Sequence, residues 1–120
     1  MDYILKNYKM NKVIHHNYWY WGESYYIILD NGNGMITMQI DNDNKTYGCI
    51  SGISVTNKAR KKGLGDRLLQ ECEKLAKDLG LSEIYLTAEK DSFVFDWYKR
   101  KGFIKDKYRN KYLYRLTKQL

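Results

Sequence analysis

The stretch Arg60-Lys61-Lys62-Gly63-Leu64-Gly65 decides how this chain is read. Before it lies a strand-like run, Cys49 to Val55. After it comes a segment, Asp66 to Leu79, whose apolar residues recur at helical spacing. Leu64, Leu68, Leu69, Cys72, Leu75, Ala76 and Leu79 fall on one helix face, and Gly80 suits the position that ends the helix. A glycine-rich turn opening a helix presents backbone N–H groups that have no partner within the helix, at the positive end of its dipole. Both features favour an anion, most usefully a phosphate or pyrophosphate. Lys58, Arg60, Lys61 and Lys62 add positive charge at the same place. The unit therefore predicts strand, anion-binding turn and helix in that order.

Outward from this unit the chain alternates apolar and polar residues as half-buried strands do. Ser24 to Leu29 reads as a strand, Asp30-Asn31-Gly32-Asn33-Gly34 as a turn, and Met35 to Ile40 as a second strand. In the latter, Ile36, Met38 and Ile40 oppose Met35, Thr37 and Gln39. Asp41 to Lys45 is another polar turn, and Thr46 to Val55 a third strand, interrupted by Gly48 and Gly52. Beyond the helix, Ser82 to Ala88 is a strand. Asp91 or Ser92 can cap a short helix to Arg100, which Gly102 ends. Phe103 to Tyr108 and Lys111 to Leu116 form a terminal hairpin around Arg109-Asn110. Met1 to Lys12 reads as irregular or a short strand. The run Tyr18-Trp19-Tyr20-Trp21, taken as a strand, sets Tyr18 and Tyr20 on one face and Trp19 and Trp21 on the other. It predicts either core packed under a covered surface or an aromatic wall for a cation or a second copy of the chain. The order of strands, helix, strand, helix and strands predicts a mixed α/β fold in one domain spanning residues 1–120.

With 120 residues the chain suffices for one core and not comfortably two. Its net charge of +7 favours anionic partners without specifying one. No apolar run approaches the ~20 residues a membrane span needs. Lysines and asparagines interrupt the N-terminus, so no signal peptide is read there and a cytoplasmic setting is expected. Cys49 and Cys72 lie on apolar stripes without CxxC-type spacing. They are expected as buried thiols, with no disulfide or metal.

Three features in order resemble the GCN5-related N-acetyltransferase (GNAT) family. They are the strand Cys49–Val55 feeding Arg60-x-x-Gly63-x-Gly65, the amphipathic helix after it, and Trp97-Tyr98-Lys99-Arg100-Lys101-Gly102-Phe103, similar to the family's Y-x-x-x-G-F ending of its last helix. The match covers roughly Thr46 to Phe103. It implies a central, mostly antiparallel twisted sheet with helices packed on it, with a shortened N-terminal part, and acetyl-CoA as co-substrate without a metal. By resemblance, Ile53, Ser54 and Val55 would pair with the pantetheine arm, a backbone N–H near Val55 facing the thioester oxygen. Arg60, Lys61, Lys62, Gly63, Leu64 and Gly65 would hold the pyrophosphate. Tyr98 would give a hydrogen bond or proton to the CoA sulfur. Asp91 and Ser92 stand where the family often has a CoA-contacting Asn.

Acetyl transfer to an amine needs a positioned donor, a polarised carbonyl, a deprotonated amine and a proton for the leaving thiolate. Glu89, near the end of a strand, is the leading candidate for the base. Glu23, His15 and His16 are weaker ones, and proton loss to solvent stands beside them. The family's usual two helices before its second strand have no counterpart in the ~22 residues before Gly22, which lack a helical period. The acceptor site is then expected to be open, built differently, or completed by a second subunit. The leading expectation is acetyl transfer directly to a primary amine of a small molecule or protein, with a homodimer as a further expectation. A CoA-binding relative without an acceptor site is the first alternative. A basic nucleic-acid-binding module is the second, supported by charge alone.

Overall fold

The computed structural model describes residues 11–20, 22–108 and 111–120. Expectations for Met1 to Met10, Trp21, and the turn Arg109-Asn110 lie outside the described residues. Seven strands form one sheet: β1 (Lys12–Trp19), β2 (Gly22–Leu29), β3 (Gly34–Ile40), β4 (Tyr47–Val55), β5 (Glu83–Glu89), β6 (Ile104–Tyr108) and β7 (Leu113–Gln119). Two helices complete it, α1 (Leu64–Asp78) and α2 (Phe93–Arg100). The spatial order is β1-β2-β3-β4-β5-β7-β6. Every neighbouring pair is antiparallel except β4–β5, which is parallel. Parallel neighbours need a crossover, and α1 supplies it.

Alternation sorts the sheet into two faces. Tyr25, Ile27, Leu29, Ile36, Met38, Ile40, Ile84, Leu86, Tyr114 and Leu116 are buried on one of them. Leu64, Leu68, Leu69, Cys72 and Ala76 of α1 pack on that face, as do Phe95 and Tyr98 of α2. The close approach of α1 to β3 depends on Gly34. A Cβ there would stand 2.9 Å from Leu64 Cδ2 and 3.0 Å from Leu68 Cδ1. Leu68 is fully buried at that contact, so its truncation to Ala should cost ~2–5 kcal/mol.

Several details differ from the sequence expectations. Helix α1 begins two residues earlier than Asp66 and ends at Asp78. Leu79 leaves the stripe as its cap and is 39% exposed. Cys72 is buried, but Cys49 is only half-buried, because it lies on the sheet face opposite the helices. The aromatic run does not continue as a strand. Trp19 pairs with Gly22, so the chain reverses at once and Tyr20 leaves the sheet, 97% exposed. Phe103 belongs to the core rather than to a strand. The last strand, running on to Gln119, inserts between β5 and β6 instead of adding at the edge. No helix stands between β1 and β2 among the described residues, and none is long and apolar enough to cross a membrane.

Candidate active site

The site begins where two strands part. β4 and β5 pair only over Tyr47–Glu83, Gly48–Ile84 and Cys49–Tyr85, although both strands run on. The cause lies in β4. Thr37 pairs with Gly52 and Met38 with Ile50, so Ser51 is an extra residue. Such a bulge bends its strand and increases its twist. Past it, β4 has β3 on one side and an open edge on the other.

The hydrogen-bond phase decides what that edge offers. The Thr56 N–H donates to the Asn33 carbonyl at 2.8 Å, which makes Asn33–Thr56 a bonded pair. Antiparallel ladders alternate, so the main-chain groups of Ser54 face β3 while those of Val55 and Ile53 face the opening. The Val55 carbonyl does accept from outside the ladder, from Arg60 Nε at 3.3 Å.

The open edge leads into the start of α1. Gly63 is the N-cap with φ 79°, and no side chain caps the helix. The N–H groups of Leu64, Gly65 and Asp66 therefore have no intrahelical acceptor. A Cβ on Gly63 would meet nothing within 4 Å, and one on Gly65 only Trp97 Cζ2 at 3.6 Å. These glycines keep a surface clear rather than pack against protein. Lys61 shares the left-handed conformation, at φ 66°, which turns the loop. Asp66, the one acid of the first turn, is engaged by Lys101 Nζ at 2.5 Å. The resulting cleft, about 780 Å³, is lined by Ile53, Ser54, Val55, Arg60, Lys61, Gly63, Leu64 and Gly65 on one side and by Phe93, Val94 and Trp97 of α2 on the other.

A second hollow of about 150 Å³ adjoins it, where Ile53, Ser54 and Val55 face Phe93, Val94, Trp97 and Tyr98. Tyr98 is only 2% exposed, its ring held edge-on by Trp97 at 4.9 Å and Phe103 at 5.2 Å. Among the described residues its hydroxyl has no hydrogen-bond partner. Burial, with the Cys72 thiol nearby, pushes its pKa above the ordinary phenol value. Tyr98 is thus a neutral donor in a mostly apolar hollow.

The fold brings eight of the expected positions onto the larger cleft and adds Tyr98 through the hollow. Lys62, Glu89, Asp91 and Ser92 line neither. Glu89 is exposed at the end of β5, on the face away from the helices. Asp91 has φ 57°, and Ser92 caps α2, its Oγ accepting from Phe95 N–H at 3.1 Å and donating to the Glu89 carbonyl at 2.8 Å. Glu23 and His16 bond each other at 2.7 Å. The register Ser24–Gln39–Cys49 sets them level with the Tyr47 end of β4, away from Val55. His15 lies three strands from β4. Phe93 and Val94 were missed as site residues. Their signal was an apolar pair in the first turn of α2, off the stripe of Phe95 and Tyr98, and they are 75% and 47% exposed.

An exposed strand edge, an uncapped helix start, adjacent cations and an apolar channel suit an elongated ligand with an amide-bearing arm and a phosphate group. The geometry is that of an elongated cleft entered where two parallel strands part. The chain belongs to the acetyltransferase (GNAT) family, whose family model matches residues 3–103. Solved structures share the fold at low identity. PaiA N-acetyltransferase from Thermoplasma acidophilum, in complex with coenzyme A, is 21% identical with a TM-score of 0.67, over 81% of this chain and 60% of that one. An acetyltransferase from Bacillus subtilis in complex with CoA is 17% identical with a TM-score of 0.71, over 93% and 99%. The ribosomal-protein-S18-alanine N-acetyltransferase from Escherichia coli is 15% identical with a TM-score of 0.65, over 80% and 67%. The chain thus spans three fifths of the Thermoplasma protein and nearly all of the Bacillus one.

Proposed function

We propose that this protein is an acetyl-CoA-dependent N-acetyltransferase that moves the acetyl group directly to a primary amine of a small molecule or protein. The observation that carries the reading is the continuity of the open β4 edge with the uncapped start of α1. Ile53 and Val55 offer main-chain donors and acceptors to the pantetheine amides, and Ser54 completes the strand between them. The N–H groups of Leu64 and Gly65, with Arg60, Lys61 and Lys62 around them, hold the pyrophosphate, and Gly63 leaves room for it. The bound co-substrate supplies an acetyl thioester. The new bond joins the amine nitrogen to the acetyl carbon, and the carbon–sulfur bond breaks.

Tyr98 serves the leaving sulfur. Its raised pKa lies well above the ~8.5 of a typical thiol. Complete proton transfer to a thiolate would be uphill, so Tyr98 acts chiefly by donating a hydrogen bond to the developing charge. The amine's proton leaves to Glu89 or to solvent on the helix-free face. Neither Cys49 nor Cys72 lines the cleft, which supports transfer without an acyl-enzyme. A cytoplasmic setting belongs to the same reading.

Calorimetric titration of acetyl-CoA into wild type and a Gly63→Glu, Gly65→Glu double variant tests it. Micromolar-range binding, lost in the variant while its circular dichroism is unchanged, is expected. A panel of primary amines assayed by free-thiol release then follows. No binding by wild type would overturn the proposal. Binding without turnover on any amine would leave a CoA-binding protein in its place.

A further inference from the structure

The two edges of the sheet differ. β6 is a five-residue strand, Ile-Lys-Asp-Lys-Tyr, with a register shift between Lys105 and Lys107. Short, charged, irregular edges resist pairing with another chain. β1 carries one charge, Lys12 at its first position, and none of the other protections. It pairs with β2 in unbroken register over eight residues and has no neighbour on its outer side among the described residues. It also exposes apolar surface on both faces, with Val13 at 45%, Ile14 at 41%, Tyr18 at 74% and Trp19 at 49%.

Its outward-facing main-chain groups can be assigned. Asp30 N–H donates to the Asn11 carbonyl at 3.0 Å, which makes that a bonded pair. Alternation then turns the groups of Ile14, His16 and Tyr18 outward. An antiparallel partner must meet outward groups with outward groups, and facing residues must share a sheet face. A two-fold axis through His16 satisfies both conditions. His16 meets its own copy, Ile14 meets Tyr18 of the second copy, and Val13, one residue farther from the axis, meets Trp19. Each apolar side chain then gains an apolar cross-strand neighbour, the unit of sheet stabilisation. An axis through His15 would instead set Val13 against Asn17 and Ile14 against His16.

We propose that a second copy of this chain pairs antiparallel along β1, with the two-fold axis at His16, to form one continuous sheet. The segment Val13-Ile14-His15-His16-Asn17-Tyr18-Trp19 is complementary to its own reverse, as an isologous interface requires. Both helix layers fall on the same side of the joined sheet, and both β4–β5 clefts remain open. Strand pairing of this length alone falls below the ~1,200 Å² of ordinary stable complexes, so the dimer dissociates on dilution. The inference is independent of acetyl transfer.

Sedimentation velocity across a wide concentration range tests it. Wild type should shift from monomer to dimer as concentration rises. Ile14→Lys, which sets a charge on the paired edge, should remain monomeric at every concentration, as should His16→Pro, which removes the outward N–H at the axis together with the imidazole contacts to Glu23 and Tyr25. Oxidative cross-linking fixes the register without requiring either variant to fold. His16→Cys should give a covalent dimer, because bonded antiparallel pairs set Cα atoms ~5.5 Å apart, within disulfide reach. Ile14→Cys should not. A wild type monomeric throughout would overturn the proposal. So would a dimer that survives both edge variants, or cross-linking of Ile14→Cys in preference to His16→Cys.

Discussion

Cys49 of β4 stands opposite Tyr85 of β5, and this is the last pair the two strands make. Everything the site offers lies beyond it. Below the pair the sheet is continuous. Tyr85 donates there to Asp41 at 2.5 Å and carries the Arg115 guanidinium 3.9 Å from its ring. Above the pair, Ile53 and Val55 face an opening.

The bulge makes the opening, so its removal should close it. Deleting Ser51 leaves Ile50, Ile53 and Val55 on the same face, since the extra residue alone breaks their alternation. The straightened strand can extend its pairing to β5. Loss of acetyl-CoA binding by calorimetry with preserved far-ultraviolet circular dichroism is expected. Wild-type affinity in the deletion would refute the role of the bulge.

The two loop glycines should separate in their effects. Gly63 sits at φ 79°, so Gly63→Ala should cost about 1–2 kcal/mol in urea denaturation. Gly65→Ala should be nearly neutral for stability, because its Cβ meets Trp97 at an ordinary 3.6 Å. Gly65→Glu should weaken acetyl-CoA binding more than tenfold by placing a carboxylate at the helix start.

Tyr98→Phe keeps the buried ring and removes a hydroxyl without a described partner. Its melting temperature should match wild type, while kcat falls by ~10²–10³-fold, as for loss of one hydrogen-bond donor to developing charge. The KM for acetyl-CoA should stay within a few-fold. A variant with undiminished kcat would assign Tyr98 to the core alone.

Stability should decline in alkali. Burial raises the Cys72 thiol from 9.0 to about 12. Burial, then the Glu23 hydrogen bond, raises Tyr25 from 10.0 to about 12. Tyr85 and Tyr98 are also raised, chiefly by burial. Each group keeps its proton longer folded than unfolded, so the unfolded state binds fewer protons as pH rises. The stabilisation is complete below the unfolded values and is lost between about pH 9 and about pH 12, where Cys72 and then the tyrosines ionise on unfolding. Urea midpoints at neutral pH and near pH 11 should show the drop. Replacing Cys72 with Val should flatten the part that begins near pH 9.

Local signals read correctly from the chain have local causes. The apolar stripe from Leu64 to Ala76, the turn Asp30–Gly34, the alternation of Met35–Ile40 and the glycine-rich helix start each depend on residues a few positions apart. Family motifs at Arg60–Gly65 and Tyr98 added the expectation of a CoA ligand. Several features were decided only by contacts between residues far apart in sequence. One is the insertion of β7 between β5 and β6. Others are the exit of Tyr20 from the sheet and the place of Phe93 and Val94 across the cleft from Val55. The parting of β4 from β5 is the clearest case. Gly48 and Gly52 marked β4 as irregular, but the extra residue is defined only against β3, where Thr37 and Met38 leave Ser51 unmatched. Composition and periodicity describe a strand by itself, whereas a bulge, an open edge and the cleft they make exist only relative to neighbouring strands.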